Sequence, residues 1–181
     1  DFSSAILQQS ALSMALLYTL DFEGNYFYSN SNVREWSIAA LRYLTKIQLS
    51  DGSYNEYYPN EHGYPPTAFL LFSGCLTYQI LNLNDPEILS CLKKTGDYLS
   101  RHVERSAYNQ EFAAITGLYL LYEITGEARY QHSCIKKLHA ALEAQSIDGW
   151  FPVQTLDTLV LLLICWQNTI GTARMSLCVS H

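Results

Sequence analysis

Basic charge is scarce in this chain: 11 Lys and Arg stand against 17 Asp and Glu, and only Lys93-Lys94 and Lys136-Lys137 are adjacent. Nucleic-acid binding draws on clustered cations that displace counterions from phosphates, so a net charge of −6 argues against that class of partner. Long apolar runs are missing too. The longest, Leu159 to Trp166, falls far short of the ~20 residues a bilayer span needs, and no basic segment leads into an apolar core at the start, so neither a membrane anchor nor a signal peptide is expected. The five cysteines, Cys75, Cys91, Cys134, Cys165 and Cys178, form none of the close pairs of zinc knuckles or redox motifs. Four sit among apolar residues at helical spacing, which reads as small buried thiols in a reducing compartment, the cytoplasm. No Gly-rich phosphate loop, nucleophile-elbow serine or zinc signature occurs, so no cofactor or metal is expected. Sustained polar–apolar alternation is absent, which leaves no sheet to assign.

What is present is helical. With 181 residues, 49% of them hydrophobic, the chain can bury one sizeable core as one domain over 1–171, followed by a tail at 172–181. Apolar residues recur at three- and four-residue steps between breakers, and seven helices follow. The first runs from about Ser3 to Leu20. A second runs from about Asn32, as N-cap, to Gln48, with Val33, Trp36, Leu41, Leu44 and Ile47 facing inward. Pro66 falls in the first turn of a third reaching about Leu81, and Asp85-Pro86-Glu87 starts the fourth. The fifth, Ala107 to Thr125, is closed by Gly126. The sixth spans Glu127 to Gln145 and the seventh about Thr155 to Asn168.

A repeat lies over this pattern. Gln48-Leu49-Ser50-Asp51-Gly52-Ser53-Tyr54 and Gln145-Ser146-Ile147-Asp148-Gly149-Trp150-Phe151 share Gln-x-x-Asp-Gly-x-aromatic at a helix end. Half their separation is about 48 residues, the size of one helical hairpin with its loops, so the chain reads as stacked hairpins whose helices alternate between inner and outer positions. Gly takes a positive φ after the helix, Asp folds its carboxylate onto nearby amides, and the aromatic returns over the apolar end of the hairpin. The glutamine can bond loop backbone. That structural use suits Asp51, Gly52, Asp148 and Gly149 better than catalysis does.

These elements resemble the repeats of α/α-toroid proteins, which include terpene cyclases, prenyltransferase β-subunits and carbohydrate-active enzymes. Gln48 through Phe69, QLSDGSYNEYYPNEHGYPPTAF, resembles more closely a motif of bacterial proteins related to the toroid domain of heparinase II/III-type polysaccharide lyases. Asn109-Gln110-Glu111 with Ala113-Ala114-Ile115 and Leu118-Tyr119, then Thr125-Gly126-Glu127 and Asp148-Gly149-Trp150-Phe151-Pro152, are similar to the same group. The likeness covers about Phe2 to Pro152. It departs where an acidic, Gly-rich, Tyr-containing loop would follow the second Asp-Gly-aromatic element, since Pro152-Val153-Gln154-Thr155 leads almost directly into the seventh helix. A closed six-hairpin toroid needs about 300 residues at this repeat size, so an all-α, partial α/α toroid is the expectation. Its exposed apolar edge predicts a homo-oligomer.

The segment Tyr54 to Tyr64 concentrates chemistry, with two carboxylates, one imidazole, two amides and four phenols in eleven residues. Aromatic faces stack on sugar rings while carboxylates and amides bond hydroxyls, which suits an oligosaccharide or polysaccharide. Tyr57, Glu61 and His62 are the candidate catalytic groups, with Tyr57 or Tyr58 as the proton-transfer phenol of a lyase and Glu56, Glu61 or His62 as acid or base. Glu56, Tyr58, Asn60, Asn109, Gln110 and Trp150 are the candidate substrate contacts. The plainer alternative packs Tyr54, Tyr57 and Pro59 down, caps the third helix with Glu61 and His62, and makes Asn109 to Glu111 an N-cap and first-turn acid. His102, His132 and His139 read as a solvated face, and Trp36 and Trp166 as core. Three functions compete. The first is a carbohydrate-associated toroid domain with lyase or glycosidase chemistry, the second a noncatalytic scaffold for a peptide or partner domain, and the third an isoprenoid enzyme, disfavoured because neither an Asp-rich motif nor an Asp, Cys and His zinc site can be assembled.

Overall fold

Polar side chains and prolines set where the helices begin. In the computed structural model, which describes residues 4–148 and Phe151, a 3-10 turn over Ala5–Gln9 runs into α1, Ser10–Thr19. The Asn30 side chain accepts the Asn32 amide and starts α2, Ser31–Ile47. The N-cap is therefore Asn30 and not Asn32, because only the earlier residue has the extended backbone that aims its carbonyl back at the helix. Two prolines occupy the first turn of α3, Tyr64–Ile80, where no intrahelical N–H is needed. Asp85 accepts the amides of Glu87 and Ile88 at 3.0 and 3.2 Å and opens α4, Pro86–Arg101. α5, Tyr108–Thr125, ends on Gly126 in the left-handed conformation, and α6, Ala128–Glu143, follows after a two-residue connection. The described chain is all-α. One isolated antiparallel bridge, Tyr54 with Gly63, lies outside the helices.

The helices sort into two layers. α3 packs between α1 and α5, while α4 lies beside α2 and touches α6. Composition explains the sorting: α1, α3 and α5 are apolar around their whole circumference, whereas α2, α4 and α6 keep one apolar stripe. In α5 every residue from Glu111 to Leu121 is buried, but α6 buries only Tyr130, Cys134, Lys137 and Ala141. Side chains such as Phe112, Leu118 and Leu121 each contribute about 1.5–3 kcal/mol by leaving water. Cys75, Cys91 and Cys134 are buried within this packing and form no disulfide among the described residues.

Some sequence expectations need correction. Trp36 does not face inward; it is 59% exposed, because Val33, Ser37, Ile38, Leu41 and Leu44 take the buried stripe of α2 and Trp36 falls beside it. The first helix is two pieces, a 3-10 turn before α1. The seventh helix, Gly149, Trp150, Trp166, Cys165, Cys178 and the tail lie outside the described residues. Among the described residues no helix is long and apolar enough to cross a membrane.

Candidate functional site

The segment between α2 and α3 is built inward to outward. Gln48 leaves α2 and gives its side-chain amide to the Cys91 carbonyl and the Thr95 hydroxyl of α4, both at 2.9 Å, with a longer contact of 3.4 Å to the Gly52 carbonyl. The glutamine thus ties the turn to the neighbouring helix as well as to its own loop. Asp51 Oδ1 accepts the Ser53 amide at 3.0 Å and the Ser53 hydroxyl at 2.7 Å, the expected fold of a turn aspartate onto backbone. Tyr54 then drops into the core.

Beyond Tyr54 the chain loops out and returns. The Gly63 amide donates to the Tyr54 carbonyl at 2.8 Å and closes the base. Within the loop, Glu61 Oε2 accepts the amides of Glu56 and Tyr57 at 2.7 and 2.9 Å, and Asn55 Oδ1 accepts the amides of Glu61 and His62 at 2.8 and 3.4 Å. Its own side chains therefore clamp the loop from within. Asn60 and His62 sit at φ of 59° and 52°, and the bonds around His62 hold a backbone state that costs about 1–3 kcal/mol for a residue other than glycine. At the tip Tyr57 and Tyr58 stand 68% and 71% exposed. Tyr57 and Pro59 do not pack down, and Glu61 and His62 do not cap α3, whose N-cap position is Gly63.

Electrostatics narrows the chemistry. The Tyr57 and Glu56 amides hold the Glu61 carboxyl below its ordinary value, so it stays an anion. The Tyr57 phenol is raised by its hydrogen bond to the Glu56 carboxylate and by that group's charge, which favours a proton donor over a phenolate base. Burial pushes the Asp51 carboxyl up, but the Ser53 hydrogen bonds and His62 together outweigh it, and the net shift is downward. Both carboxylates bind fewer protons folded than unfolded, so their stability is present above their ordinary values of 4.5 and 3.8 and is lost as pH falls through the lowered ones. Urea midpoints measured from pH 7 down to pH 3 should fall in acid, with a shallower fall in Asp51→Asn and Glu61→Gln. Equal slopes in all three proteins would contradict the assignment.

Asp51, Ser53 and His62 are not a nucleophilic triad. His62 Nδ1 is 2.7 Å from Asp51 Oδ2 and 3.0 Å from Ser53 Oγ, so both partners address one nitrogen, and Ser53 is fully buried with its proton given to Asp51.

No known family model, curated protein or solved structure matches this chain. The site's meaning therefore rests on its own geometry. Four helices, α3 to α6, separate Asp51 from Asp148, and an even number returns the chain to the same end of the array. Contacts agree. The Tyr98 hydroxyl at the end of α4 donates to the His62 carbonyl at 2.9 Å, and Phe151 packs edge-on to Phe112 at 5.1 Å at the start of α5. Tyr54 and Phe151, the aromatics of the two repeat elements, are both buried over hairpin ends. The glutamines differ, since Gln48 is half-buried and Gln145 exposed.

Asn109 and Gln110 lie half-exposed at this same end, but their neighbour Glu111 is not a surface acid. Its Oε1 lies 2.9 Å from Lys137 Nζ, and its Oε2 accepts the Tyr64 hydroxyl and the Glu104 amide. Lys137 spends its remaining protons on the His102 carbonyl at 2.5 Å and the Tyr64 oxygen at 3.2 Å. Burial pulls this ammonium below its ordinary value while the Glu111 charge opposes that, and burial with Glu111 pushes the Tyr64 phenol far up. Every polar atom of the cluster has a partner, so it is a clamp joining α3, α5 and α6 beneath the loop. A groove of about 420 Å³ lies between α2 and α4 along Thr45, Gln48, Glu87 and Lys94, and none of the predicted site residues lines it. Among the described residues no three His, Cys, Asp or Glu side chains are grouped to hold a metal.

Proposed function

We propose that the chain is an arc of an α/α toroid whose loop-bearing end binds a glycan, as the resemblance to the toroid domains of polysaccharide lyases implies. One observation carries this reading: two exposed tyrosines, Tyr57 and Tyr58, stand on a loop already fixed by its own hydrogen bonds. A preorganised aromatic pair binds without the entropic cost of ordering a floppy segment, and ring faces suit the apolar faces of sugars. Glu56, Asn60, Asn109 and Gln110 supply hydroxyl-bonding groups at that end. The two layers of alternating apolar and amphipathic helices support the toroid arc. Binding is better supported than lyase or glycosidase chemistry, because Glu61 is committed to two backbone amides. Buried cysteines outside any disulfide among the described residues fit a reducing, cytoplasmic setting.

Tyr57→Ala and Tyr58→Ala should each weaken binding of uronic-acid or neutral oligosaccharides by about tenfold, read by calorimetry, with thermal midpoints nearly unchanged. Absence of binding to either glycan class by the unaltered protein would overturn the reading.

A specific observation favours the noncatalytic scaffold as second reading. At the opposite end, the α1–α2 connection exposes Phe22, Tyr26, Phe27 and Tyr28, with Tyr26 90% exposed, while Asn25 pins the segment to the Leu17 and Leu20 carbonyls at 2.7 Å each. α1 is as apolar as α3 and α5 yet only half-buried, the kind of edge that drives self-association. Light scattering at rising concentration tests it, and a constant monomer mass would count against the oligomer.

A further inference from the structure

Both oxygens of the Asp51 carboxylate have partners, and their arrangement leaves one histidine nitrogen free. Oδ1 takes the Ser53 amide and hydroxyl, and Oδ2 faces His62 Nδ1 at 2.7 Å. Since the Ser53 proton is already given to Asp51, the proton between Oδ2 and Nδ1 belongs to the ring. In the neutral imidazole Nε2 is then the bare, lone-pair nitrogen. It has no protein partner among the described residues, and the His62 side chain is 46% exposed. The ring's backbone is held at both ends, with its carbonyl accepting from Tyr98 at 2.9 Å and its amide directed to Asn55.

Beside it stand the Asp51 carboxylate from the turn and, at the end of α4, Tyr98 with the His102 ring stacked on it at 4.0 Å.

We infer that Asp51 and His62 form a proton-transfer dyad at the loop. His62 Nε2 takes the proton of a hydroxyl presented at the loop: the O–H bond breaks, its electron pair stays on oxygen, and an Nε2–H bond forms. The positive charge that results lies on the ring facing the Asp51 carboxylate, which keeps its own charge and acts as a positioning residue. The reverse transfer makes the same ring a general acid. The hydroxyl's identity as a sugar hydroxyl rests on the glycan reading above; the dyad does not.

The test needs no substrate. Nitrogen-15 spectra of the histidine rings report the tautomer directly. His62 is expected as the Nδ1–H form in the unaltered protein, as the Nε2–H form in Asp51→Ala, and as the Nδ1–H form again in Asp51→Asn, whose side-chain oxygen still accepts. Diethyl pyrocarbonate, with the modified peptides mapped by mass, should react with His62 at least about tenfold more slowly in Asp51→Ala, because the bare-Nε2 form is then a minor state. An Nε2–H ring in the unaltered protein, or unchanged tautomer and reactivity in Asp51→Ala, overturns the dyad. If Asp51→Ala loses its helical circular dichroism, the unaltered protein and Asp51→Asn decide: Nδ1–H in both sustains the proposal, and Nε2–H in the first defeats it. Loss of glycan binding with the tautomer result intact would remove the sugar reading alone.

Discussion

Replacing Gly52 by alanine should cost the fold about 3–5 kcal/mol, a large part of the stability of a domain this size. Two independent penalties meet at this residue. Its φ of +96° is a conformation that L side chains rarely adopt, and a Cβ there would stand 2.2 Å from the Lys94 carbonyl oxygen and 2.6 Å from its carbon. The obstacle is backbone in the middle of α4, so no rotamer change relieves it. Either the turn lifts away or α4 bends. Lifting the turn would also strip the Gln48 bonds to Cys91 and Thr95 and displace Asp51 and Tyr54, so the loop's presentation should suffer with the stability. Gly126→Ala is the control. Its φ of +68° carries a similar backbone strain, but nothing lies within 4 Å of the added carbon, so a loss of only about 1–2 kcal/mol is expected. Urea midpoints of the two variants, measured side by side, separate strain from overlap. Equal losses would mean that the turn does not press on α4.

Much of this was legible because it is local. Asp85-Pro86 and Gly126 mark helix ends through chemistry that acts over three or four residues, and both do in the structure what their types dictate. Gln-x-x-Asp-Gly-x-aromatic was legible for the same reason, down to Tyr54 and Phe151 turning inward. Trp36 was misread because an apolar residue at the margin of a helical stripe fits either side, and burial of the stripe is decided by neighbours distant in sequence. The clamp under the loop was not legible, since Glu111 and Lys137 lie on different helices. One signal did exist: Tyr130, Cys134, Lys137 and Ala141 are spaced to share one face of α6, which puts Lys137 in an apolar stripe where a solvated lysine has no place. The Asp51–His62 contact left no such trace, because left-handed turns at Asn60 and His62 create it.

Removing Lys137 should be the other severe change. Lys137→Met would leave the Glu111 carboxylate, 2% exposed, as an uncompensated charge in the core, a loss of about 3–5 kcal/mol. The His102 carbonyl would lose its 2.5 Å donor as well, freeing the α4–α5 connection. Yet the pair is not thereby a large net source of stability, because both charges were taken out of water to make it. The decisive comparison is Glu111→Leu with Lys137→Met in one chain. With no charge left to strand, the double variant should lose less than the sum of the single losses, by about 0.5–3 kcal/mol. Its remaining deficit would be the Tyr64 hydroxyl and the Glu104 amide left without their acceptor and the His102 carbonyl left without its donor. Strict additivity in guanidinium unfolding would show that the 2.9 Å contact between Glu111 and Lys137 does not couple them. Subadditivity accompanied by reduced glycan binding would mean something further: that the clamp holds the base of α3, through Tyr64, at the height where the loop it terminates can present Tyr57 and Tyr58.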